Sequence, residues 1–233
     1  MLYLYTVNCK PISIPPSMCV HSTPPPPKVL IQLALFNDLD YRPETYPKYK
    51  TLMIRSIGGQ RVASLACFGL IPHWAKDASF GNKTYNARTE TVHEKPSYRT
   101  PWAKRQFCLI PLMRYFEPCW ETGKAVNWAI HRKDNEPFTV AAIWDTWTDK
   151  ATGEIVESFS MLTINADGHP ILGRMHRAGE EKRSLVVVNE DRRDAWLTAT
   201  KETDPMTFCK PMDVSVFMAE PESASHLPHP QIF

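Results

Sequence analysis

The chain has 233 residues, 43% of them hydrophobic, which is enough for one large domain or two small ones and excludes a disordered chain or a coiled coil. The formal net charge of only +2 does not indicate a nucleic-acid partner, so any such surface must be found locally. The 21 prolines against 9 glycines favour a loop-rich, mostly β chain over long helices.

The first segment, residues 1–17, carries a single charge, at Lys10, and shows no sustained periodicity. We interpret it as a leader that is removed or as the product of a misassigned start, because the pair Met18-Cys19 follows it directly. Three interpretations of Cys19 stay open: an ordinary loop cysteine, a lipidated cysteine and the N-terminal residue of the mature chain. Lipidation is disfavoured, because neither small residues before the cysteine nor a signal sequence accompanies it.

An N-terminal Cys19 has distinctive chemistry, because it combines an α-amine with a thiol on the same residue. The pKa of an α-amine is near ~8, against ~10.4 for lysine, so a much larger fraction of the amine is neutral at pH 7. Such an amine attacks an aldehyde to form an imine. The neighbouring thiol can then close onto the imine carbon and give a five-membered thiazolidine.

Downstream of the leader, short apolar runs cut by turn residues predict a series of strands. These are Tyr46–Arg55, Val62–Leu70, Gln106–Leu112, Ala125–His131, Phe138–Trp144, Ser158–Ile164, Ser184–Val188 and Asp213–Met218. Helices are predicted over Val29–Phe36, directly after Asn86, over His169–Met175 and over Glu190–Thr198. Residues 18–218 are therefore expected to form one α+β domain on a mostly antiparallel sheet, followed by an extended tail over residues 219–233.

Six cysteines, at positions 9, 19, 67, 108, 119 and 209, contain no C-x-x-C pair. We therefore expect neither a disulfide framework nor a zinc site, and the chain is predicted to need no metal and no other cofactor. No apolar run approaches the ~20 residues that a membrane span requires. These features predict a cytoplasmic protein with free thiols and no membrane partner.

Charge is distributed unevenly along the chain. Residues 76–114 contain eight basic and three acidic residues, a net charge of +5, whereas residues 190–233 carry a net charge of −4. Aromatic residues interrupt the basic stretch, and cations interleaved with rings suit a groove that holds phosphates while bases stack. The same pattern is also typical of a solvated face over core aromatics, so charge alone leaves nucleic-acid binding open.

Four sequence blocks occur in a fixed order. They are Phe68–Trp74 (FGLIPHW), Tyr85–Thr91 (YNARTET), Phe107–Pro111 (FCLIP) leading to Tyr115–Glu117 (YFE), and Thr163–Ala166 (TINA) followed by Met175-His176. Together with Met18-Cys19 they resemble the SRAP family, the SOS-response-associated peptidase-like proteins that shield abasic sites in single-stranded DNA, and more specifically a bacterial or phage-associated subset. The resemblance implies the SRAP fold, a barrel-like β-sheet with a few short flanking helices.

The resemblance also implies roles for individual residues. Cys19 corresponds to the cross-linking residue, which is exposed after removal of the methionine and joins the ring-opened sugar of an abasic site as a thiazolidine. Asn86, Glu117 and His176 match the residues around the reacting centre. The residues predicted to bind DNA are Trp74, which stacks beside the lesion, Arg88, which holds a phosphate, and His21, Lys83, Arg114 and Thr163.

Two of these roles have a physical basis that is independent of the family. Imine formation needs a proton delivered to the departing hydroxyl and removed from the nitrogen, and a carboxyl or a histidine can carry it. Glu117 stands between Phe116 and Pro118, where desolvation can raise its pKa. The alternatives are a Glu117 that faces water, a His176 that is satisfied in the core or at the surface, and an Asn86 that caps a turn or helix.

Three functions are compatible with these features. The favoured one is covalent capture of abasic sites in single-stranded DNA through Cys19, with lyase-type strand cleavage as a related activity. The second is a thiol autopeptidase or amidohydrolase that uses Cys19, and the third is a non-covalent relative that binds single-stranded DNA. We expect a monomer, associated with the bacterial nucleoid during DNA damage.

Overall fold

The computed structural model describes residues 21–30 and 39–222, which contain twelve strands and three short α-helices. The strands are β1 (His21–Thr23), β2 (Lys50–Ile57), β3 (Gln60–Phe68), β4 (Asn86–Arg88), β5 (Phe107–Leu112), β6 (Arg114–Cys119), β7 (Val126–Arg132), β8 (Phe138–Thr148), β9 (Ile155–Asn165), β10 (Arg183–Leu185), β11 (Val187–Val188) and β12 (Phe217–Pro221). The helices are α1 (Pro27–Leu30), α2 (Arg99–Ala103) and α3 (Arg193–Leu197).

Five of the strands close into a barrel in the order β9-β3-β2-β5-β8, with β8 pairing back to β9. The pairing is antiparallel except between β3 and β9, where Cys67 and Phe68 run parallel to Ser158 and Phe159. Strands β4 and β10 add to β9, and β11 adds to β8. The predicted α+β domain with a barrel-like, mostly antiparallel sheet is therefore confirmed.

A second, four-stranded antiparallel sheet has the order β1-β6-β7-β12. Strand β1 forms its edge, with His21 opposite Phe116 of β6. On the other side of β6, Glu117 is paired with Trp128 of β7. This small sheet therefore holds the start of the described chain directly beside Glu117.

Side chains that alternate along the barrel strands pack into two hydrophobic clusters. Leu52 and Ile54 of β2 join a cluster with the short helices, whereas Met53 between them joins a cluster with the four-stranded sheet. The fully buried Trp196 of α3 stacks on Phe107 at 4.2 Å and donates its indole N–H to the carbonyl of Cys108 at 2.9 Å. The two faces of the barrel strands therefore pack into separate clusters, one shared with the short helices and the other with the second sheet.

Most of the predicted strands are present with shifted ends, but three elements were not predicted and two moved. The strand expected from Tyr46 begins only at Lys50, and the last one lies at Phe217–Pro221 instead of Asp213–Met218. Strands β1, β4 and β6 are additional. Strands β1 and β4 have three residues each and pair with strands that are distant in sequence, which a local pattern does not reveal. Strand β6 pairs with the next strand, β7, as well as with β1, but Arg114, Glu117 and Pro118 interrupt its apolar pattern.

The helix predictions were less accurate. The helix expected directly after Asn86 is wrong, because Asn86–Arg88 pairs in parallel with β9 and turns then run to α2. Within His169–Met175 only one 3-10 turn forms, and Glu190–Thr198 contains a 3-10 turn followed by α3. Of the helix predicted over Val29–Phe36, residues 31–36 lie outside the described residues. No helix in the described part of the chain is long and apolar enough to cross a membrane.

Candidate functional site

Glu117 and His176 form a buried pair. The Glu117 Oε2 and His176 Nε2 atoms are 3.4 Å apart, and the two side chains are only 4% and 2% exposed. Glu117 comes from β6, and His176 follows a 3-10 turn that packs against the end of the same strand. There the His176 N–H donates to the carbonyl of Pro118 at 2.7 Å. The structure therefore brings together two of the predicted catalytic side chains.

Burial changes the acidity of Glu117. Desolvation raises its pKa from 4.5 to about 8, because the site offers little to stabilise a negative charge. At neutral pH the carboxyl is then mostly protonated and can donate a proton. The His176 backbone has a φ of +61°, in the left-handed region that residues other than glycine adopt at a cost.

His21, on the edge strand β1, lies in an aromatic stack on the Phe116 face of β6. Its ring is sandwiched between Tyr46 at 4.4 Å and Phe116 at 4.0 Å, with nearly parallel planes, and its Nε2 is 3.4 Å from Glu44 Oε2. Burial lowers the pKa of His21 to about 4, although the charge of Glu222 opposes the shift. The imidazole is therefore neutral at pH 7, so this arrangement does not favour the predicted contact of His21 with DNA through a positive charge.

Asn86 opens β4 and is buried, with only 7% of its surface exposed. Its main chain is held in the sheet opposite Met161, and its carbonyl accepts a hydrogen bond from the Tyr98 hydroxyl at 3.0 Å. The neighbouring Tyr85 packs against the same cluster as Cys119, which lies two residues after Glu117. The alternative role of Asn86 as the cap of a following helix does not apply, because that helix is absent.

Arg88 and Thr163 are register partners on β4 and β9, but they differ in accessibility. Arg88 is half exposed and binds Glu181 through Nη1–Oε2 at 2.6 Å. Thr163 is buried, and its carbonyl and hydroxyl oxygens accept hydrogen bonds from Arg183 at 2.8 and 3.1 Å. Of the two residues predicted to bind DNA, Arg88 is thus accessible and Thr163 supports the strand behind it.

Arg183 joins these groups into one network. It binds both carboxylate oxygens of Glu90 at 2.9 and 2.8 Å, and also Glu181 at 2.7 Å. Burial opposes ionisation of Glu90, but the hydrogen bonds and charge of Arg183 outweigh it and lower the pKa of Glu90 to about 2. Sequence reasoning missed Arg183 and Glu181; the run Glu180-Glu181-Lys182-Arg183, with both signs of charge, was the available signal.

Trp74 and Lys83 lie on one compact loop that follows β3. Trp74 is 46% exposed and its ring meets Phe80 edge-on at 5.0 Å, while Lys83 is exposed at the end of a 3-10 helix. The loop closes where Gly69 and Gly81 approach each other. A Cβ added to Gly81 would lie 2.7 Å from the Gly69 carbonyl oxygen, so this approach requires glycine. The fold therefore presents an aromatic ring and a cation on a braced loop.

Arg114 is partly buried on β6, opposite Thr23 of β1. Because side chains alternate along a strand, Arg114 shares a face of β6 with Phe116 and not with Glu117. It is therefore not grouped with the buried pair.

The predicted cross-linking residue, Cys19, lies outside the described residues, as does the leader over residues 1–17. Within the described ranges Cys67, Cys108, Cys119 and Cys209 are free thiols, and burial raises the pKa of Cys108 and of Cys209. No group of three or more His, Cys, Asp or Glu side chains in those ranges could hold a metal ion.

Comparison with known proteins identifies the family that shares this architecture. The model of a family described as SOS response associated peptidase (SRAP) matches residues 32–223. The abasic site processing protein YoqW of Bacillus subtilis is 29% identical over 162 residues, 68% of this chain and 67% of that one. A crystal structure of a Bordetella bronchiseptica protein is 32% identical with a TM-score of 0.81, and the match covers 88% of this chain and 100% of that chain.

A second crystal structure, from Bacteroides thetaiotaomicron, shows the same fold at 24% identity. Its TM-score is 0.76, and the match covers 89% of this chain and 93% of that chain. The family match includes every strand of the barrel and every strand of the second sheet except β1. It also includes Glu117 and His176. The chain therefore belongs to the SOS response-associated peptidase (SRAP) family.

Proposed function

We propose that this protein binds single-stranded DNA and captures abasic sites covalently through Cys19, once Cys19 is the N-terminal residue. The observation that carries the proposal is the buried Glu117–His176 pair, in which a carboxyl with a pKa of about 8 lies 3.4 Å from an imidazole. The names of relatives such as YoqW, an abasic site processing protein, give the substrate class.

The chain itself limits how far Cys19 lies from this pair. Cys19 precedes His21 by two residues, and two residues of extended chain span at most about 7 Å. His21 is opposite Phe116, the neighbour of Glu117. A reactive amine at position 19 is therefore tethered by at most two residues to the strand that pairs with β6.

The proposed reaction balances without a cofactor. The Cys19 amine attacks the aldehyde carbon of the ring-opened abasic sugar, and the carbinolamine then loses its hydroxyl as water after receiving a proton from Glu117. His176 takes the proton released by nitrogen. The thiol sulfur adds to the imine carbon, and the thiol proton passes to the nitrogen, so one water is lost for each thiazolidine formed. If the imine forms without ring closure, β-elimination from it is the route to the lyase activity.

Two accessible cations and an aromatic ring suit a single strand of DNA. Arg88, Lys83 and Trp74 are exposed or half exposed on segments that flank Asn86. Phosphates bind cations and bases stack on exposed rings, with little dependence on sequence. We infer that the strand crosses this surface with the abasic sugar at Cys19 and Asn86.

The test uses an oligonucleotide with one abasic site and the chain beginning at Cys19. We expect an adduct that survives heating in denaturant and whose mass equals protein plus DNA minus one water. Cys19→Ala should form none, and Cys67→Ala, which removes a partly exposed thiol elsewhere, is the matched control. An adduct that persists in Cys19→Ala, or no adduct with the chain that begins at Cys19, contradicts the proposal.

A second candidate is self-cleavage before Cys19, favoured by the peptidase in the family description. The thiol would attack the carbonyl before Cys19, with water completing hydrolysis and freeing the amine that capture requires. Intact mass of the purified full chain would then show a protein that begins at Cys19. Cleavage that persists in both Cys19→Ala and Glu117→Gln would exclude self-processing.

A further inference from the structure

The turn that carries His176 is closed by a single ammonium group. Lys182 Nζ donates to three consecutive carbonyls, those of Met175 at 2.7 Å, His176 at 3.2 Å and Arg177 at 2.7 Å. An ammonium has three donors, and here each finds an acceptor on the main chain. Among the described residues Lys182 forms no ion pair with a carboxylate, and the partners of its ammonium are main-chain carbonyls.

The turn needs such support because of its backbone conformation. The left-handed φ of His176 is unfavourable for a residue other than glycine, and it persists only where surrounding contacts enforce it. The His176 N–H is fixed by the carbonyl of Pro118, and its own carbonyl is fixed by Lys182. Both main-chain polar groups of His176 are therefore held, one by β6 and one by Lys182.

Lys182 is itself anchored to the barrel. Its N–H donates to Asp167 Oδ1 at 2.9 Å, and its carbonyl accepts from the Ala166 N–H at 2.8 Å, just after β9 ends. On the other side, Arg177 lies over the Trp120 ring at 4.4 Å, which ties the turn to the segment after β6. The turn is thus braced between the barrel and the four-stranded sheet.

We propose that Lys182 is a positioning residue that holds the His176 imidazole against the Glu117 carboxyl. The inference rests on the proposed function, since it concerns the same proton-transferring pair. Lys182 does not touch the reacting atoms. It acts on the backbone of His176, and a small misplacement of a proton-transferring group slows a reaction strongly.

The experiment compares cross-linking rates of variants in the chain that begins at Cys19. We expect Lys182→Met to slow adduct formation by about tenfold to a hundredfold, and Lys182→Arg, which can still donate to several carbonyls, to recover most of the rate. In a His176→Gln background, Lys182→Met should change the rate by less than about twofold, because the group it positions is gone. Lys201→Met, at an exposed lysine elsewhere, should match the wild type.

A second measurement does not depend on cross-linking. The imidazole of His176, followed by NMR without DNA, should titrate at a different pH in Lys182→Met because its contact with Glu117 is altered. If Lys182→Met fails to fold, Lys182→Gln takes its place. A wild-type rate in the variant, an equal loss in the His176→Gln background, or an unchanged titration overturns the inference. A wild-type chain that forms no adduct overturns the proposed function instead, and the titration still decides the role of Lys182.

Discussion

Glu117 and His176 reach each other from two different parts of the fold, with Oε2 and Nε2 3.4 Å apart and both side chains buried. Such a contact is often an ion pair. Here the pKa of Glu117 is raised by burial to about 8, so at pH 7 the neutral carboxyl predominates. At pH 7 a protonated carboxyl therefore lies against an imidazole nitrogen.

The first prediction concerns the stability of the free protein. The unfolded state releases the Glu117 proton near the ordinary pKa of 4.5, whereas the folded state holds it up to about pH 8. This group therefore stabilises the fold fully below pH 4.5, and that contribution is lost as the pH rises to about 8, with a slope of at most about 1.4 kcal/mol per pH unit. Thermal unfolding of wild type and Glu117→Gln between pH 5 and 8.5 should show a smaller loss in the variant. Parallel curves would contradict the assignment.

The second prediction concerns the rate of capture. If protonated Glu117 delivers the proton to the departing hydroxyl, the wild-type rate should fall above about pH 8 as the carboxyl ionises. Glu117→Gln should be slower by about a hundredfold or more and should lack this alkaline decline. Rates of adduct formation from pH 6 to 9 provide the measurement. Glu121→Gln, at an exposed carboxylate bound to Arg174, is the matched control, and an alkaline decline that survives in Glu117→Gln would assign it to another group.

Sequence reasoning located these residues unevenly. Apolar runs revealed β5 and β8 because each strand buries most of its own side chains, so the local pattern reflects the fold. Strand β6, which carries Glu117, was missed because it contains two charged residues and a proline and is stabilised by β1 and β7. The contact between Arg88 and Glu181 joins residues 93 positions apart, and no local pattern encodes it.

The third prediction concerns Trp74. Its ring is 46% exposed, so a base can stack on it, and such stacking is worth about 1–3 kcal/mol per base. Trp74→Ala should weaken binding of single-stranded DNA by about fivefold to a hundredfold, and Trp74→Phe by less. The unfolding temperature should change little, since nearly half of the side chain is already exposed and its ring meets Phe80 only edge-on. Fluorescence anisotropy measures the affinity for single-stranded DNA. Ile155→Ala, at an exposed apolar residue of β9, is the control. If Ile155→Ala weakens DNA binding as much as Trp74→Ala, a specific stacking role of Trp74 is excluded.

The fourth prediction concerns acid stability and His21. Burial lowers the pKa of His21 to about 4, although the charge of Glu222 opposes this shift. In the unfolded chain the pKa of His21 is near 6.5. The neutral ring therefore contributes stability that is present above pH 6.5 and is lost as the pH falls to about 4. His21→Phe preserves stacking between Tyr46 and Phe116 without a titratable group. Its unfolding temperature should fall less than that of the wild type between pH 7 and 4.5, and an identical fall would show that other groups cause the acid sensitivity.

The fifth prediction concerns competition for Arg88. The Arg88 guanidinium is bound by Glu181, which also binds Arg183 at 2.7 Å. Glu181 therefore still has an ion-pair partner if Arg88 moves to bind a DNA phosphate. Removing the charge with Glu181→Gln should tighten single-stranded DNA binding up to about fivefold, the scale of an exposed ion pair. The same change should have no effect in an Arg88→Ala background, because the competition is then absent.

Anisotropy titrations over a range of salt concentrations test this competition. Arg88→Ala should weaken binding and reduce the slope of log affinity against log salt by about 0.7, the loss of one phosphate contact. Glu202→Gln, at an exposed carboxylate bound to Thr200, controls for the general effect of removing a negative charge. If Glu181→Gln and Glu202→Gln tighten binding equally, or if the gain persists without Arg88, Glu181 does not act through Arg88. If only Glu181→Gln tightens DNA binding, and only with Arg88 present, then Glu181 competes with the DNA phosphate for the Arg88 guanidinium.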